Sequence, residues 1–231
     1  YIFSDSTGTP WPGLALDQGS FTAGGPGNFY YYNGTVVVPN TTAIPLGSWS
    51  HIVISLDVTG QEIKFYINGV LDKTTTSVAN IGTLIDEFGT RDNGNYFNGK
   101  LSNISIFNSI LNADDILDLY NNGITQDLNN FRISPTNWYP MDQSYTYFNG
   151  SVLVARDVIS SNDGTGANVV QENIIGNAPG SEANGTGSNL TIADLKGDMK
   201  NSINNSYSIN MADYADGVTN PANSGRSTNV P

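Results

Sequence analysis

Between Trp49 and Asp72 the chain alternates apolar and polar positions with a period of two. Ile52, Ile54 and Leu56 alternate with Val53, Ser55 and Asp57, and Ile63, Phe65 and Ile67 alternate with Glu62, Lys64, Tyr66 and Asn68. This predicts two strands, each with one face in a core. A turn from Asp57 to Gln61 joins them as an antiparallel hairpin. Asn68-Gly69 follows at once, and since both central residues of a type I′ turn need positive φ, this dipeptide predicts a second turn and a third strand from Val70 and Leu71.

Upstream, short apolar pulses are separated by turn formers. Tyr1 to Phe3 and Leu14 with Leu16 predict short strands, Gly24-Gly25-Pro26-Gly27 forces a loop, and Phe29–Tyr32 with Val36 to Val38 predicts a strand pair around Asn33-Gly34. Turn signals recurring about every 8 to 12 residues point to a β-sandwich or barrel. Downstream, Thr74 to Thr76, Leu84 to Phe88 and Leu101 to Phe107 read as strands, the last with an inner pair at Ile104 and Ile106. One helix follows: Asn112 is a good N-cap, Asp114 and Asp115 suit the first turn, and Gly123 suits a left-handed C-terminal position. Leu111 is spaced to pack on Ile116, with Leu117 and Tyr120 continuing the buried stripe.

From residue 132 the character changes. Pro135, Trp138-Tyr139-Pro140 and Tyr145 to Phe148 carry aromatic weight, and Val152 to Val154 predicts a strand. Beyond Ser160 the chain is rich in Gly, Asn and Ser, and Thr219 to Pro231 has almost no apolar residues. The expected organisation is a β-sandwich over residues 1–131, a strand-containing connection or partial second module over 132–168, and an extended arm over 169–231 held against a partner chain.

At 231 residues the chain can bury a sizeable core, and with no cysteine it has neither a disulfide nor a thiolate metal site. The net charge of −12 arises from few basic groups, since only 13% of residues are charged against about 25% in typical domains. Such a surface repels nucleic-acid phosphates and anionic membranes. No apolar run approaches the roughly 18 residues of a membrane-spanning helix. A start at Tyr1, with no Met and no leader-like segment, reads as a processed or fragmentary product.

Four blocks carry a family resemblance. They are Trp49 to Val53, Ile63 to Gly69, Phe97 to Phe107, and Ile110-Leu111 through Leu119-Tyr120-Asn121-Asn122-Gly123. In this order and spacing they resemble the laminin-G-like, concanavalin A-like jelly-roll domains over residues 1 to 125. The resemblance implies an all-β fold: a two-sheet antiparallel jelly-roll sandwich with one short helix, here followed by an extended Gly/Asn-rich C-terminal region. Trp138 to Met141, with Asp157 and Asn162 to Gly166, looks like the opening of a second, incomplete module of the same kind. The Asn/Gly-rich continuation is similar in composition to phage and marine-virus structural proteins.

Some sandwiches of this family are glycoside hydrolases, which need two carboxylates set for acid and nucleophile roles. The chain has no such run; Asp86-Glu87 are adjacent, so a strand would point them to opposite faces. His51 is the only histidine, and a packing or hydrogen-bonded role beside Trp49 on one strand face is expected. No nucleophile elbow supports Ser-His-Asp catalysis, so no catalytic residue is assigned. No cofactor is expected; domains of the resembled family often bind a calcium ion at the sandwich rim, and Asp92, Asn93 and Asn95 could offer part of its oxygen set, the alternative being that Asn-Gly segments are simply turns. Sugar binding needs exposed aromatics, and Trp11, Tyr30, Tyr31 and Tyr32 are the candidates. The alternative is that Trp11 caps the core and Tyr31 packs on a neighbouring subunit. Seven Asn-x-Ser/Thr sequons, Asn33, Asn103 and Asn189 among them, are about what this composition yields by chance, so they assign no glycosylation.

The function expected is that of a non-enzymatic virion surface protein, a capsid decoration, head-fibre or tail-associated subunit. Its partners would be other virion proteins, copies of itself or a host-surface glycan, with no nucleic acid and no membrane insertion. The alternative is a carbohydrate-binding module, calcium-dependent or not, of a secreted or cell-surface protein.

Overall fold

A computed structural model describes residues 1–5, 12–17, 25–82, 85–91, 95–142, 144–166, 169 and 179. They fall into two units whose chain segments interleave: residues 1–101, 107–126 and 130–134 in one, and 102–106, 127–129 and those from 135 on in the other. The arm expected over 169–231 lies outside the described residues except for Val169 and Pro179.

In the first unit, β1 (Phe3–Ser4), β2 (Gly13–Leu16), β3 (Phe29–Tyr32) and β4 (Val37–Pro39) pair antiparallel in chain order, and β8 (Glu87–Phe88) joins the free side of β1. β5 (Ile52–Asp57), β6 (Glu62–Ile67) and β7 (Val70–Thr75) form a separate antiparallel meander. Phe88, Phe3, Leu14, Tyr31 and Val38 are successive cross-strand partners, so they share one face of the five-stranded sheet. That face packs against Ile52, Ile54, Leu56, Ile63, Phe65 and Ile67 of the meander. Phe29 meets Phe65 edge-on, with ring centroids 5.5 Å apart. Two antiparallel sheets thus close over one core, the sandwich that the alternation and the resemblance predicted.

The turn between β6 and β7 has φ of 49° at Asn68 and 80° at Gly69, as the dipeptide predicted. One expectation needs correcting: the meander is covered on both faces. Tyr66, which alternates with the core residues, is itself buried, packing with Leu111 and Ile116 and flanked by Val53, Phe107, Leu119 and Ile133. The cover is α1 (Ala113–Tyr120) and its neighbours. Gly69 makes the approach possible, because a Cβ there would lie 3.0 Å from Leu117 Cδ1 and 3.1 Å from Tyr120 Cβ. Gly69→Ala combines a strained positive φ with that clash and is expected to cost about 1–3 kcal/mol. A thermal melt unchanged from the parent would contradict this.

The helix starts where predicted. Asn112 Oδ1 accepts the Asp114 and Asp115 N–H groups at 2.8 and 3.0 Å, and Asp115 Oδ2 accepts the Asn112 N–H at 2.9 Å, closing a capping box. Asp115 is buried and also accepts from Arg132 Nε at 2.7 Å. The end differs: the chain turns left-handed already at Asn121 and Asn122, with φ of 44° and 55°, before reaching Gly123. Leu117 is 52% exposed and does not continue the buried stripe. With 3.6 residues per turn, Leu119 returns to the face of Ile116 while Leu117 rotates away from it. The strand expected from Leu101 begins only at Ile104, because Asn103 has φ of 56° and breaks the extended run.

In the second unit, β9 (Ile104–Ile106) pairs antiparallel with β10 (Asn137–Tyr139), and β11 (Thr146–Phe148), β12 (Leu153–Ala155) and β13 (Gly164–Gly166) form a three-stranded antiparallel sheet. Buried Asp157 organises this unit. Its carboxylate accepts the N–H groups of Trp138 and Ile159 at 3.0 Å and of Ser160 at 3.3 Å, Asn137 Nδ2 at 2.7 Å, and the Ser160 hydroxyl. Burial alone would raise its pKa, but hydrogen bonds from Ser160, Trp138, Asn137 and Ile159 outweigh that and hold the carboxyl at about 2. Nearby, Trp138 Nε1 donates to Asn103 Oδ1 at 2.6 Å, and the Tyr139 hydroxyl donates to the Asn162 carbonyl at 2.9 Å. Among the described residues no helix is long and apolar enough to cross a membrane.

Candidate functional site

The phase of β3 decides what its aromatic run can do. Phe29 and Tyr31 point into the sandwich, so Tyr30 and Tyr32 point out, where they cluster with Tyr1, Ala15 and Val37. Tyr31 has no exposed surface, and its hydroxyl donates to the Gly82 carbonyl at 2.7 Å and accepts the Gly82 N–H at 2.9 Å. Burial, joined by the nearby Asp5, pushes its phenol up to about 12 against the opposing Gly82 hydrogen bond. Tyr31 is therefore withdrawn as a sugar-binding candidate. It packs in its own core, which also replaces the expectation of a subunit contact.

Glu87, Ser4, Gly13, Tyr32 and Val37 form one cross-strand row on the outer face. Glycine in that row leaves a gap, and the Tyr1 ring fills it: a Cβ on Gly13 would lie 2.9 Å from Tyr1 Cδ2. The Arg91 guanidinium stands 4.8 Å from the centroid of the same ring, and Arg91 Nη1 donates to the Tyr1 hydroxyl oxygen at 3.0 Å. The Tyr30 hydroxyl bonds to that oxygen as well. Burial pushes the Tyr30 phenol up to about 12, with Tyr1 and Asp17 adding to the rise and Arg91 opposing it. Burial also raises the Tyr1 phenol, against the pull of Arg91. The Tyr32 hydroxyl donates to the Gly34 carbonyl at 2.8 Å, which ties its ring to the β3–β4 turn. Tyr1 and Tyr32 are half-buried, Tyr30 is nearly buried, and Asp17 is buried with Oδ2 accepting the Gly25 N–H at 3.2 Å.

The outcome is a phenolic cluster in which part-exposed Tyr1 and Tyr32 flank buried Tyr30, with the Tyr1 and Tyr30 hydroxyls bonded to each other and the Tyr32 hydroxyl bonded to the backbone. Tyr1 and Arg91 escaped the sequence reading because they are 90 positions apart and no local pattern links them. Gly13 within an apolar strand was the available hint, since glycine there marks a close approach of another group.

Of the other candidates, Trp11, Asp92 and Asn93 lie outside the described residues. Asn95 is described: it has φ of 43°, and its carbonyl oxygen accepts the Tyr1 backbone nitrogen at 3.0 Å. Among the described residues no group of three His, Asp or Glu side chains is placed to hold a metal ion. His51 stacks on Tyr120 with centroids 5.8 Å apart and planes at 28°, so it packs against the helix and not the sandwich core. Its Nδ1 is buried without a partner, and burial lowers its pKa to about 4. Asn33 is also committed to structure, its Nδ2 donating to the Ala79 carbonyl at 2.7 Å and its Oδ1 accepting the Thr35 and Val36 N–H groups.

Residues 1–117 match a laminin-G-type family model described as the concanavalin A-like lectin/glucanases superfamily. The chain belongs to this superfamily. Its sandwich, its tyrosine face and residues 92–95 all fall inside the matched span. Among solved structures, this concanavalin A-like chain is similar to a Bacteroides ovatus protein provisionally described as carbohydrate-binding, with 15% identity and a TM-score of 0.51, over 68% of this chain and 45% of that one. The chain thus spans less than half of that structure, and the likeness speaks to fold alone. An S-layer domain-containing protein from Clostridium thermocellum aligns at 19% identity over 52% of this chain and 64% of that one, with a TM-score of 0.26. No curated protein sequence matches significantly.

Proposed function

We propose that the chain is a non-enzymatic carbohydrate-binding module whose ligand lies on the outer face of the five-stranded sheet, across Tyr1 and Tyr32. The observation that carries this is the aromatic surface itself: Tyr1, Tyr30 and Tyr32 gathered on one side of a rigid sheet, with polar groups at their rim. Sugar rings present C–H faces that stack on aromatic side chains, and their hydroxyls need hydrogen-bonding partners alongside. Sheet residues supply both with little reorganisation on binding. The superfamily match and the Bacteroides ovatus neighbour support the same reading. A catalytic role has no support in a carboxylate pair read from the chain.

Tyr32→Ala is expected to weaken glycan binding by about tenfold, the loss of one stacked ring. Affinity electrophoresis in polysaccharide gels would show this as lost retardation, with a thermal melt as the folding control. A folded Tyr32→Ala variant retarded like its parent would move the site elsewhere, and Trp11→Ala then becomes the decisive substitution. Repeating the gels with calcium and with chelator tests the ion proposed for Asp92, Asn93 and Asn95.

A virion surface subunit, as the Gly/Asn-rich continuation suggests, can use such a face to adsorb to host sugars. In that setting residues 169–231 would contact other virion proteins or copies of the chain. A secreted or cell-surface location suits the carbohydrate-binding reading equally.

A further inference from the structure

We propose that Asn149 is an acceptor for an N-linked sugar, and that the fold withholds this role from Asn33, Asn40 and Asn103. The proposal is independent of the carbohydrate-binding reading and concerns a different part of the chain.

Composition alone assigns glycosylation to none of the sequons. Four of the seven fall on described residues, and there the structure separates them. Asn33 is buried, and its Nδ2 donates to the Ala79 carbonyl at 2.7 Å. Asn40 is buried as well, with Nδ2 donating to the Thr42 carbonyl at 2.6 Å and Oδ1 accepting Asn28 Nδ2 and the Phe29 N–H. Asn103 is half-buried with Oδ1 held by the Trp138 indole at 2.6 Å, and the Ser105 of its sequon is paired in the β9–β10 ladder. Each of the three is committed to the fold.

Asn149 differs on every count. Asn149, Gly150 and Ser151 are exposed in the turn between β11 and β12, which is closed by the Asn149 N–H donating to the Val152 carbonyl at 3.1 Å. Asn149 Oδ1 accepts the Ser151 and Val152 N–H groups, each at 3.1 Å. Only the amide oxygen can accept, so Nδ2 is the end directed away from those donors. Neither Nδ2 nor the Ser151 hydroxyl has a partner among the described residues. The surroundings are open, since a Cβ on Gly150 would meet nothing within 4 Å beyond its chain neighbours.

A sugar activated as a nucleoside or lipid diphosphate carries its leaving group on the anomeric carbon. Asn149 Nδ2 attacks that carbon, and the C–N bond forms as the C–O bond to the diphosphate breaks. The diphosphate leaves with the electron pair, and a base of the transferase takes one Nδ2 proton. Loss of that proton shifts negative charge onto Oδ1, where the Ser151 and Val152 N–H groups stabilise it. Ser151 supplies the hydroxyl that the sequon requires. The added sugar projects from an exposed turn and displaces no packed side chain.

The test treats the folded full chain with a soluble, sequon-reading N-glycosyltransferase and UDP-glucose, followed by peptide mapping by mass spectrometry. Asn149 is expected to gain a hexose at least about tenfold faster than Asn33, Asn40 or Asn103, which must wait for local opening. Synthetic peptides spanning the four sequons should lose that ranking, because no fold shields them. Ser151→Ala should abolish modification at Asn149 with an unchanged thermal melt. A folded chain modified at Asn33, Asn40 or Asn103 as fast as at Asn149 would overturn the proposal, and so would an Asn149 left unmodified in the chain or in its peptide. The same ranking in peptides and protein would also overturn it, because local sequence and not the fold would then select the site.

Discussion

Asp157→Ala is expected to destabilise the second unit by about 3–5 kcal/mol, the largest loss from any single substitution considered. The carboxylate is the common acceptor for the backbone N–H groups of Trp138, Ile159 and Ser160 and for the Asn137 amide. Alanine removes that acceptor and leaves donors stranded in a buried site, each at a cost of about 1–3 kcal/mol. Hydrogen exchange should locate the effect, with faster exchange at the amides of β10 and a shifted indole signal from Trp138. Asp157→Asn keeps the shape but offers one acceptor oxygen, so an intermediate loss is expected. An alanine variant melting within about a degree of its parent would show that the network is dispensable. The same carboxylate gives an acid limit. Its pKa is held at about 2 against the usual 3.8, so its contribution of about 2 kcal/mol is complete above pH 3.8 and disappears as the pH falls toward 2.

Acidification from pH 7 to pH 4 is expected to cost the first unit about 3 kcal/mol through His51. Burial lowers this imidazole from 6.5 to about 4. An unfolded chain therefore takes up the proton near pH 6.5, while the folded chain resists it until about pH 4. Stability is complete above pH 6.5 and declines through that window, because the unfolded state binds more protons. The stacking partner Tyr120 lies on α1, so the contact between helix and meander is where the weakening should begin. Denaturation midpoints measured across this range should fall for the parent and stay flatter for His51→Phe, which keeps an aromatic ring without the titrating nitrogen. Parallel curves for the two proteins would refute the assignment.

These two residues show how differently local and distant information entered the fold. The hairpins were legible because strand pairing between neighbours depends on period-two alternation and turn chemistry, both contained within a few residues of Asn33-Gly34 and Asn68-Gly69. The N-terminal cap of α1 was legible for the same reason, since Asn112 bonds residues two and three positions ahead. Leu117 misled because one apolar residue at the edge of a helical stripe is decided by the exact rotation of the helix over Gly69. Tyr66 and Val53 carried a signal of two-sided burial, being apolar residues on the supposedly exposed side of their strands. Only a helix positioned by tertiary packing accounts for them.

The candidate site divides along the same line. The run Phe29–Tyr32 was readable as a strand with aromatic residues on both faces. Which tyrosines became available depended on the row Phe3, Leu14, Tyr31 and Val38 winning the core, a competition among strands far apart in the chain. Asp157 could be singled out by resemblance, yet its task as a shared acceptor follows from where β10 and the turn after β12 meet.

Alone, then, the sequence determined the sandwich class, the hairpin turns and the start of the helix, since these rest on contacts between near neighbours. It also determined an anionic, cysteine-free chain. The tertiary structure decided that Tyr31 is core while Tyr1 and Tyr32 stay part-exposed over buried Tyr30, that Arg91 packs on Tyr1, and that His51 stacks on Tyr120. Those outcomes depend on strand phase and on side chains many residues apart meeting in space, which no local pattern encodes.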